Sequence, residues 1–181
     1  MIWDVITASA IAPLFRGWQL QNERLVARLR DLTREQLQLP IGSPDWPVWA
    51  SASHVAGARV HWLCGVFKEP GLETTPFGDL NIMESGWEDD LGHPRDADEL
   101  VHALESSWSI VAHCLETWTV DSLEQEARRV RGDEVQMHTR QSVLLRLLTH
   151  DAYHTGEMSL VLGSHGLGEI DLWRGLARIV R

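Results

Sequence analysis

The stretch Leu147-Leu-Thr-His150-Asp-Ala-Tyr-His154-Thr-Gly-Glu157 lies at the centre of the most regular segment of the sequence. Apolar residues recur around it at steps of three and four, which predicts an amphipathic helix. Thr139 is a favourable N-cap residue, so we expect this helix to span residues 140–164. Its buried stripe consists of Val143, Leu147, His150, His154, Met158 and Val161. Two histidines therefore occupy positions that the pattern assigns to the core.

Three other segments show the same helical period. The first predicted helix covers residues 11–32 and has Pro13 in its first turn, where a missing N–H is tolerated. The second covers residues 48–67. The third follows Asp96, which forms a capping box with Glu99. Four long helices without a convincing strand pattern predict an all-α protein, a four-helix bundle.

The connections between these helices differ in length. Residues 69–95 form a long irregular helix 2–3 connection, which is typical of a lid, a crossover or a disordered segment. Gly132-Asp133 is compatible with the turn of a small hairpin. A short C-terminal helix is predicted over residues 171–180. The sequence has no internal repeat, so we expect a single domain over residues 1–181.

The charge and composition of the sequence disfavour several classes of function. Its formal net charge is −10, which provides no overall basic surface, so no nucleic-acid partner is expected. Cys64 and Cys114 cannot form a disulfide framework, and we expect both to be buried in helices, in a reducing compartment. No apolar run reaches the roughly 18 residues of a membrane span, and the amino end lacks the basic start of a secretory signal. We therefore expect a cytoplasmic location and no membrane partner.

The histidines of the last long helix point to metal binding. His150 and His154 are four residues apart, which places their side chains about 5–6 Å apart on one helix face. Imidazoles in a core need partners, since an unpaired buried polar group costs about 1–3 kcal/mol. A divalent cation would satisfy both, and so would backbone groups or water molecules. The two residues therefore form a candidate metal site with an ordinary structural alternative.

A third histidine strengthens this interpretation. His54 lies on the second helix in a stripe of small and polar residues that leaves room for a ligand, namely Ser51, His54, Ala58, His61 and Gly65. Three imidazoles and one open position are typical of a catalytic metal site. His61 lies two turns from His54, about 10 Å away, so it can line a pocket but not share the ion. The alternative for His61 is an ordinary core or surface histidine.

Asn22 is a further candidate ligand-binding residue. It stands at a position of the first helix that the apolar stripe would assign to the core. We expect its side chain to face the pocket and to hydrogen-bond a substrate or a metal-bound water. The alternative is an asparagine on the helix surface.

Other motifs fit the sequence less well. In HDAYH, Asp151 is one methylene shorter than the glutamate of the HExxH zinc proteases, and no third ligand at a protease spacing follows. A di-iron site needs Glu-x-x-His on two helices, and only Glu99-Leu-Val-His102 matches. We interpret the basic cluster Arg128–Arg131 as a solvated or capping feature.

Three segments together resemble the DinB/YfiT-like superfamily of metalloenzymes. Trp18–Leu25 is similar to its first helix, Trp46–Trp62 to its second, and Leu147–Glu157 to its HxxxHxGQ motif. The resemblance covers about residues 10–165 and implies a four-helix bundle, a three-histidine divalent metal site and a homodimer.

The resemblance also assigns residues to the site. By position, His54, His150 and His154 would be the metal ligands. Glu157 replaces the more frequent glutamine, and its carboxylate either orients a ligand histidine or is a surface charge. Zinc is the expected metal because of its coordination habit, with Ni, Fe and Mn as alternatives.

The function that follows is a metal-dependent enzyme. Some superfamily members are thiol-dependent S-transferases or a maleylpyruvate isomerase, which implies a low-molecular-weight thiol as a second cofactor. The cation would make thiolate or hydroxide available near neutral pH, as in a transferase or hydrolase acting on a small-molecule electrophile. Trp87, in the long connection, would cover the mouth of the pocket. The alternatives are a non-catalytic metal-binding or stress-response protein, and a helical bundle without a metal.

Overall fold

The computed structural model describes residues 10–42, 45–84, 86–171, 173, 177 and 180. Within this part of the chain the protein is mostly helical, with one small two-stranded sheet. No described helix combines the length and hydropathy needed to cross a membrane. The elements, in chain order, are α1 (Arg16–Arg30), α2 (Arg34–Leu37), α3 (Val48–Val60), α4 (Ala97–Thr117), β1 (Glu126–Arg131), β2 (Glu134–Thr139) and α5 (Arg140–Ser164).

The four long helices begin and end close to their predicted bounds. α1 is preceded directly by a 3₁₀ turn, Ala12–Phe15. α3 continues as a π-helix, His61–Val66, and the two together match the predicted second helix. α5 spans the predicted residues 140–164 and is capped by Thr139. The C-terminal helix predicted over residues 171–180 falls largely outside the described residues.

Helix α3 lies at the centre of the packing. α1, α3, α4 and α5 surround one apolar core, and every residue of α3 except His54 is buried. A helix that is buried on every side must be covered on every side, and Trp87–Asp89 of the long connection cover part of it. Gly57 permits this contact, because a Cβ there would lie only 3.1 Å from the Cβ of Glu88. The irregular connection is therefore packed onto the helix that carries His54.

The two strands form an antiparallel hairpin around Gly132-Asp133. Val130 pairs with Val135, and Gly132 adopts a left-handed φ of +58°, which glycine tolerates without steric cost. The hairpin confirms the turn that the sequence suggested and corrects the all-α prediction to a mostly helical fold with a small sheet. Most residues of both strands are exposed, so no regular apolar alternation marked them in the sequence.

The capping box at the start of α4 provides a test of the fold. The Asp96 carboxylate accepts a hydrogen bond from the Glu99 N–H at 3.0 Å, and the Glu99 carboxylate accepts one from the Asp96 N–H at 2.9 Å. We expect Asp96→Ala to lower the free energy of unfolding by about 1 kcal/mol in chemical denaturation. Asp98→Ala, which removes a charge from the same turn without removing a cap, is the matched control and should cost less. Equal losses of unfolding free energy in the two variants would mean that negative charge, rather than the capping hydrogen bonds, stabilises the N-terminus of α4.

Candidate metal centre

Three histidines from two helices converge at one place. His54 lies on α3, and His150 and His154 lie one turn apart on α5. One ring nitrogen from each residue lies within 4.8 Å of the others, and Nε2 of His54 is 2.8 Å from Nε2 of His150. Their side chains are only 15 to 23% exposed. The structure thus brings together the three residues that the sequence singled out.

A carboxylate lies behind each imidazole. His154 donates from Nδ1 to Glu157 at 2.8 Å, and Nδ1 of His54 lies 2.7 Å from Asp89. Nδ1 of His150 lies 3.9 Å from Asp151, beyond hydrogen-bond distance. A carboxylate at Nδ1 favours the tautomer that carries its proton there, which leaves Nε2 as a lone-pair donor. Of the two predicted alternatives for Glu157, this hydrogen bond favours the one in which its carboxylate orients His154.

These imidazoles fit a divalent cation. Burial lowers the pKa of His54 and of His154, which favours the neutral form that binds metals. Two Nε2 lone pairs that face each other at 2.8 Å repel unless a cation or a proton lies between them. In a tetrahedral zinc site with bonds of about 2.0–2.1 Å, the donor atoms lie about 3.3 Å apart, which is within the range seen here. The cluster therefore suits a small cation with little rearrangement.

Asp151 belongs to the core rather than to the cavity. Its Oδ2 accepts hydrogen bonds from Trp18 Nε1 at 2.7 Å and from Arg59 at 2.9 and 2.7 Å. Burial alone would raise the pKa of Asp151, but the Arg59 charge and these hydrogen bonds outweigh burial and hold the pKa below its usual value. The carboxylate is thus a permanently charged partner of Arg59, which agrees with rejecting the zinc-protease interpretation.

Asn22 does not lie where the sequence analysis placed it. It is buried, and its Oδ1 accepts a hydrogen bond from Arg59 Nη1 at 2.8 Å. It is absent from the described residues that line the cavity beside the histidines. Asn22 occupies a position in the apolar stripe because the buried guanidinium of Arg59 needs several hydrogen-bond acceptors, and the Asn22 side chain provides one of them. We therefore correct its role from ligand contact to core hydrogen bonding.

A cavity of about 420 Å³ opens beside His54 and His150. His61 lines it, as predicted, with Nδ1 2.8 Å from the carbonyl oxygen of Ile82. The room expected beside the small residues is partly filled, since Met83 packs against Gly65. The hairpin supplies the wall that sequence analysis missed.

Two arginines of the supposed solvated cluster form part of that wall. Arg128 and Arg131 are exposed, as the interpretation of Arg128–Arg131 as a solvated feature expects, but Arg129 is partly buried, and Arg129 and Arg131 also line the cavity. The sequence signal that could have indicated this is their spacing, since Arg129 and Arg131 are two residues apart and such residues share one face of a strand. Trp87, expected to cover the mouth, is partly buried and donates from Nε1 to the Ile82 carbonyl at 2.8 Å.

Comparison with known proteins identifies the family of this mostly helical chain. The sequence profile of the DinB family matches residues 8–172, and the chain therefore belongs to the DinB family. The fold is similar to the crystal structure of a DinB-like protein from Bacillus cereus ATCC 10987, with a TM-score of 0.64, 17% identity, and coverage of 88% of this chain and 95% of that chain. At that identity the similarity concerns the fold alone. A search of curated proteins gives no match.

The buried ion pair next to the site can be tested by substitution. We expect Arg59→Met to lower the free energy of unfolding by about 3–5 kcal/mol, because it leaves the Asp151 charge buried without its partner. Arg30→Met is the matched control, since it breaks an exposed ion pair with Glu105 and should cost under about 1 kcal/mol. Denaturant unfolding measures both. Similar losses in the two variants would contradict the importance of the buried pair.

The reactivity of the two cysteines tests whether the chain could supply its own nucleophilic thiol. Both are buried, and burial raises the pKa of Cys64 to about 11 and also raises the pKa of Cys114. We expect a disulfide reagent at neutral pH to find no fast-reacting thiol in the native protein and two after denaturation. A fast-reacting thiol in the native protein would contradict this account.

Proposed function

We propose that this DinB-family protein binds one divalent metal ion through His54, His150 and His154, in a four-helix bundle formed by α1, α3, α4 and α5. The observation that carries the proposal is the convergence of three largely buried imidazoles, with a carboxylate 2.7 Å from Nδ1 of His54 and another 2.8 Å from Nδ1 of His154. Such carboxylates fix the tautomer of ligand histidines and raise their basicity. Zinc suits an all-imidazole donor set best, and Ni or Fe suits it better than Mn, which prefers oxygen ligands.

The proposed site has room for chemistry. Three protein ligands leave a position open in a four-coordinate site, and the adjoining cavity is in the size range of small-molecule sites. A cation bound there would favour the deprotonated form of a bound thiol or water. The proposed role of the chain is to orient His54 and His154 with Asp89 and Glu157 and to shield the cavity with the long connection.

The activity that we propose is a thiol-dependent S-transfer. A low-molecular-weight thiol would lose its proton, and its sulfur would form a bond to an electrophilic carbon of a small molecule while the leaving group departs with its electron pair. The thiol must come from outside the chain, since both cysteines are buried with raised pKa values. A non-catalytic metal-binding or stress-response protein is the alternative, because the same three histidines would serve it. The predicted homodimer stays a prediction that light scattering tests.

Metal content tests the ligand set. We expect His54→Ala to abolish stoichiometric metal binding, because only His150 and His154 would remain as ligands. His61→Ala is the matched control, since it removes a neighbouring cavity histidine outside the cluster and should retain the metal. Elemental analysis and zinc titration of the purified proteins provide the measurement. Full metal binding by the His54 variant would contradict a three-histidine site.

A thiol-conjugation screen separates the two functions. The metal-loaded and chelator-treated proteins are compared, each with a panel of common bacterial thiols and small electrophiles. Metal-dependent loss of free thiol supports the transferase. No turnover by a protein that holds its metal would favour the non-catalytic alternative.

A further inference from the structure

Three arginine side chains line the cavity beside the histidines. Arg129 of β1 and Arg146 of α5 both lie over the ring of Trp62, with their guanidinium carbons 4.9 and 4.8 Å from the ring centroid. Arg131 lines the same cavity, whereas Arg128 of the same strand does not. Two positive side chains from two elements therefore meet on one buried tryptophan, and a third lines the same cavity, in a chain whose net charge is −10.

These three arginines have no carboxylate at ion-pair distance among the described residues. The buried Arg59 pairs with Asp151 and the partly buried Arg140 with Glu69. Of the three cavity arginines, Arg129 is partly buried, whereas Arg131 and Arg146 are exposed. Burial and repulsion from the neighbouring arginines lower the pKa of Arg129. Glu88 attracts Arg129 without forming an ion pair with it, and an anion placed between the arginines would further relieve their mutual repulsion. The cluster thus has the character of a binding surface.

A second, independent observation in the same cavity concerns His61. Its Nδ1 and Trp87 Nε1 both lie 2.8 Å from the carbonyl oxygen of Ile82. A carbonyl oxygen only accepts hydrogen bonds, so Nδ1 carries the proton and Nε2 presents a lone pair. That Nε2 is buried and has no hydrogen-bond partner in the part of the chain that the structure describes, and the whole His61 residue is only 5% exposed. A bound molecule with a hydrogen-bond donor would satisfy it.

The cavity lining also contains three carboxylates. They belong to Glu84, which is exposed, to Asp89, which contacts His54, and to Glu88, whose Oε2 is buried without a hydrogen-bond partner among the described residues. The hairpin and α5 therefore contribute positive charge to the cavity, and the connection contributes hydrogen-bond acceptors. This combination favours a ligand that carries both an anionic group and a hydrogen-bond donor.

We propose that Arg129, Arg131 and Arg146 bind the carboxylate or phosphate group of a small molecule in this cavity, while a hydroxyl or thiol of that molecule donates to His61 Nε2. The assignment of this molecule as the substrate or thiol of the histidine site rests on the proposed function. The anion binding itself rests on the arginine cluster alone and should occur in metal-free protein.

The test uses chelator-treated full-length protein and isothermal titration with defined probes. Inorganic phosphate and succinate distinguish the two kinds of anion, succinamide is the uncharged control, and mercaptosuccinate adds a thiol donor to succinate. The variants are the double substitution Arg129→Gln and Arg146→Gln, the charge-preserving double substitution Arg129→Lys and Arg146→Lys, and the matched control Arg128→Gln. Thermal unfolding establishes that each variant is folded.

We expect wild type to bind succinate or phosphate saturably and not to bind succinamide. The double Gln variant should weaken that affinity by about tenfold or more, while the double Lys and Arg128→Gln variants should retain most of it. His61→Ala should abolish the preference for mercaptosuccinate over succinate. Absence of anion binding by wild type, or equal weakening by Arg128→Gln, would overturn the proposal.

The same titrations distinguish a failure of the anion-binding proposal from a failure of the metal-binding proposal. If His54→Ala loses zinc but keeps the wild-type affinity for the anion, both proposals stand. Anion binding without zinc binding by wild type would refute the metal site alone. Zinc binding by a wild type that binds neither anion would refute the arginine site alone.

Discussion

The Arg59 side chain is the constraint on which the histidine site depends. From α3 it donates to Asp151 of α5 at 2.9 and 2.7 Å and to Asn22 of α1 at 2.8 Å. It also donates to the carbonyl oxygen of Leu104 in α4 at 3.3 Å. One guanidinium therefore joins all four long helices inside the core. Because Asp151 directly follows His150, this ion pair fixes the position of α5 along its axis relative to α3. It thereby places His150 beside His54.

The sequence was sufficient to predict the long helices and the convergence of the three histidines. Helix periods and caps are local signals, which explains why α5 and its Thr139 cap were located correctly. His54, His150 and His154 could be selected because each interrupts an apolar or small-residue stripe, and such interruptions require a polar explanation. The resemblance to a known superfamily then joined residues that lie about a hundred positions apart.

The remaining features depend on contacts between distant segments. Asn22 was assigned to the pocket because its partner, Arg59, could not be identified from local pattern, although Arg59 is the sole Lys, Arg, Asp or Glu in Val48–Val60. The hairpin carries mostly exposed side chains, so the pattern of apolar residues in the sequence could not predict that it lies beside Trp62. As a result, the basic wall of the cavity appeared in the sequence only as an exposed arginine cluster.

The histidine cluster and the arginine cluster lie at one cavity, and the proposed binding of a metal by the three histidines is the central claim. X-ray absorption spectroscopy of the zinc-loaded protein tests that claim most directly. The account predicts three imidazole nitrogens at about 2.0–2.1 Å and one additional light atom from solvent. A spectrum with two or fewer imidazoles, or with sulfur at about 2.3 Å, would contradict it.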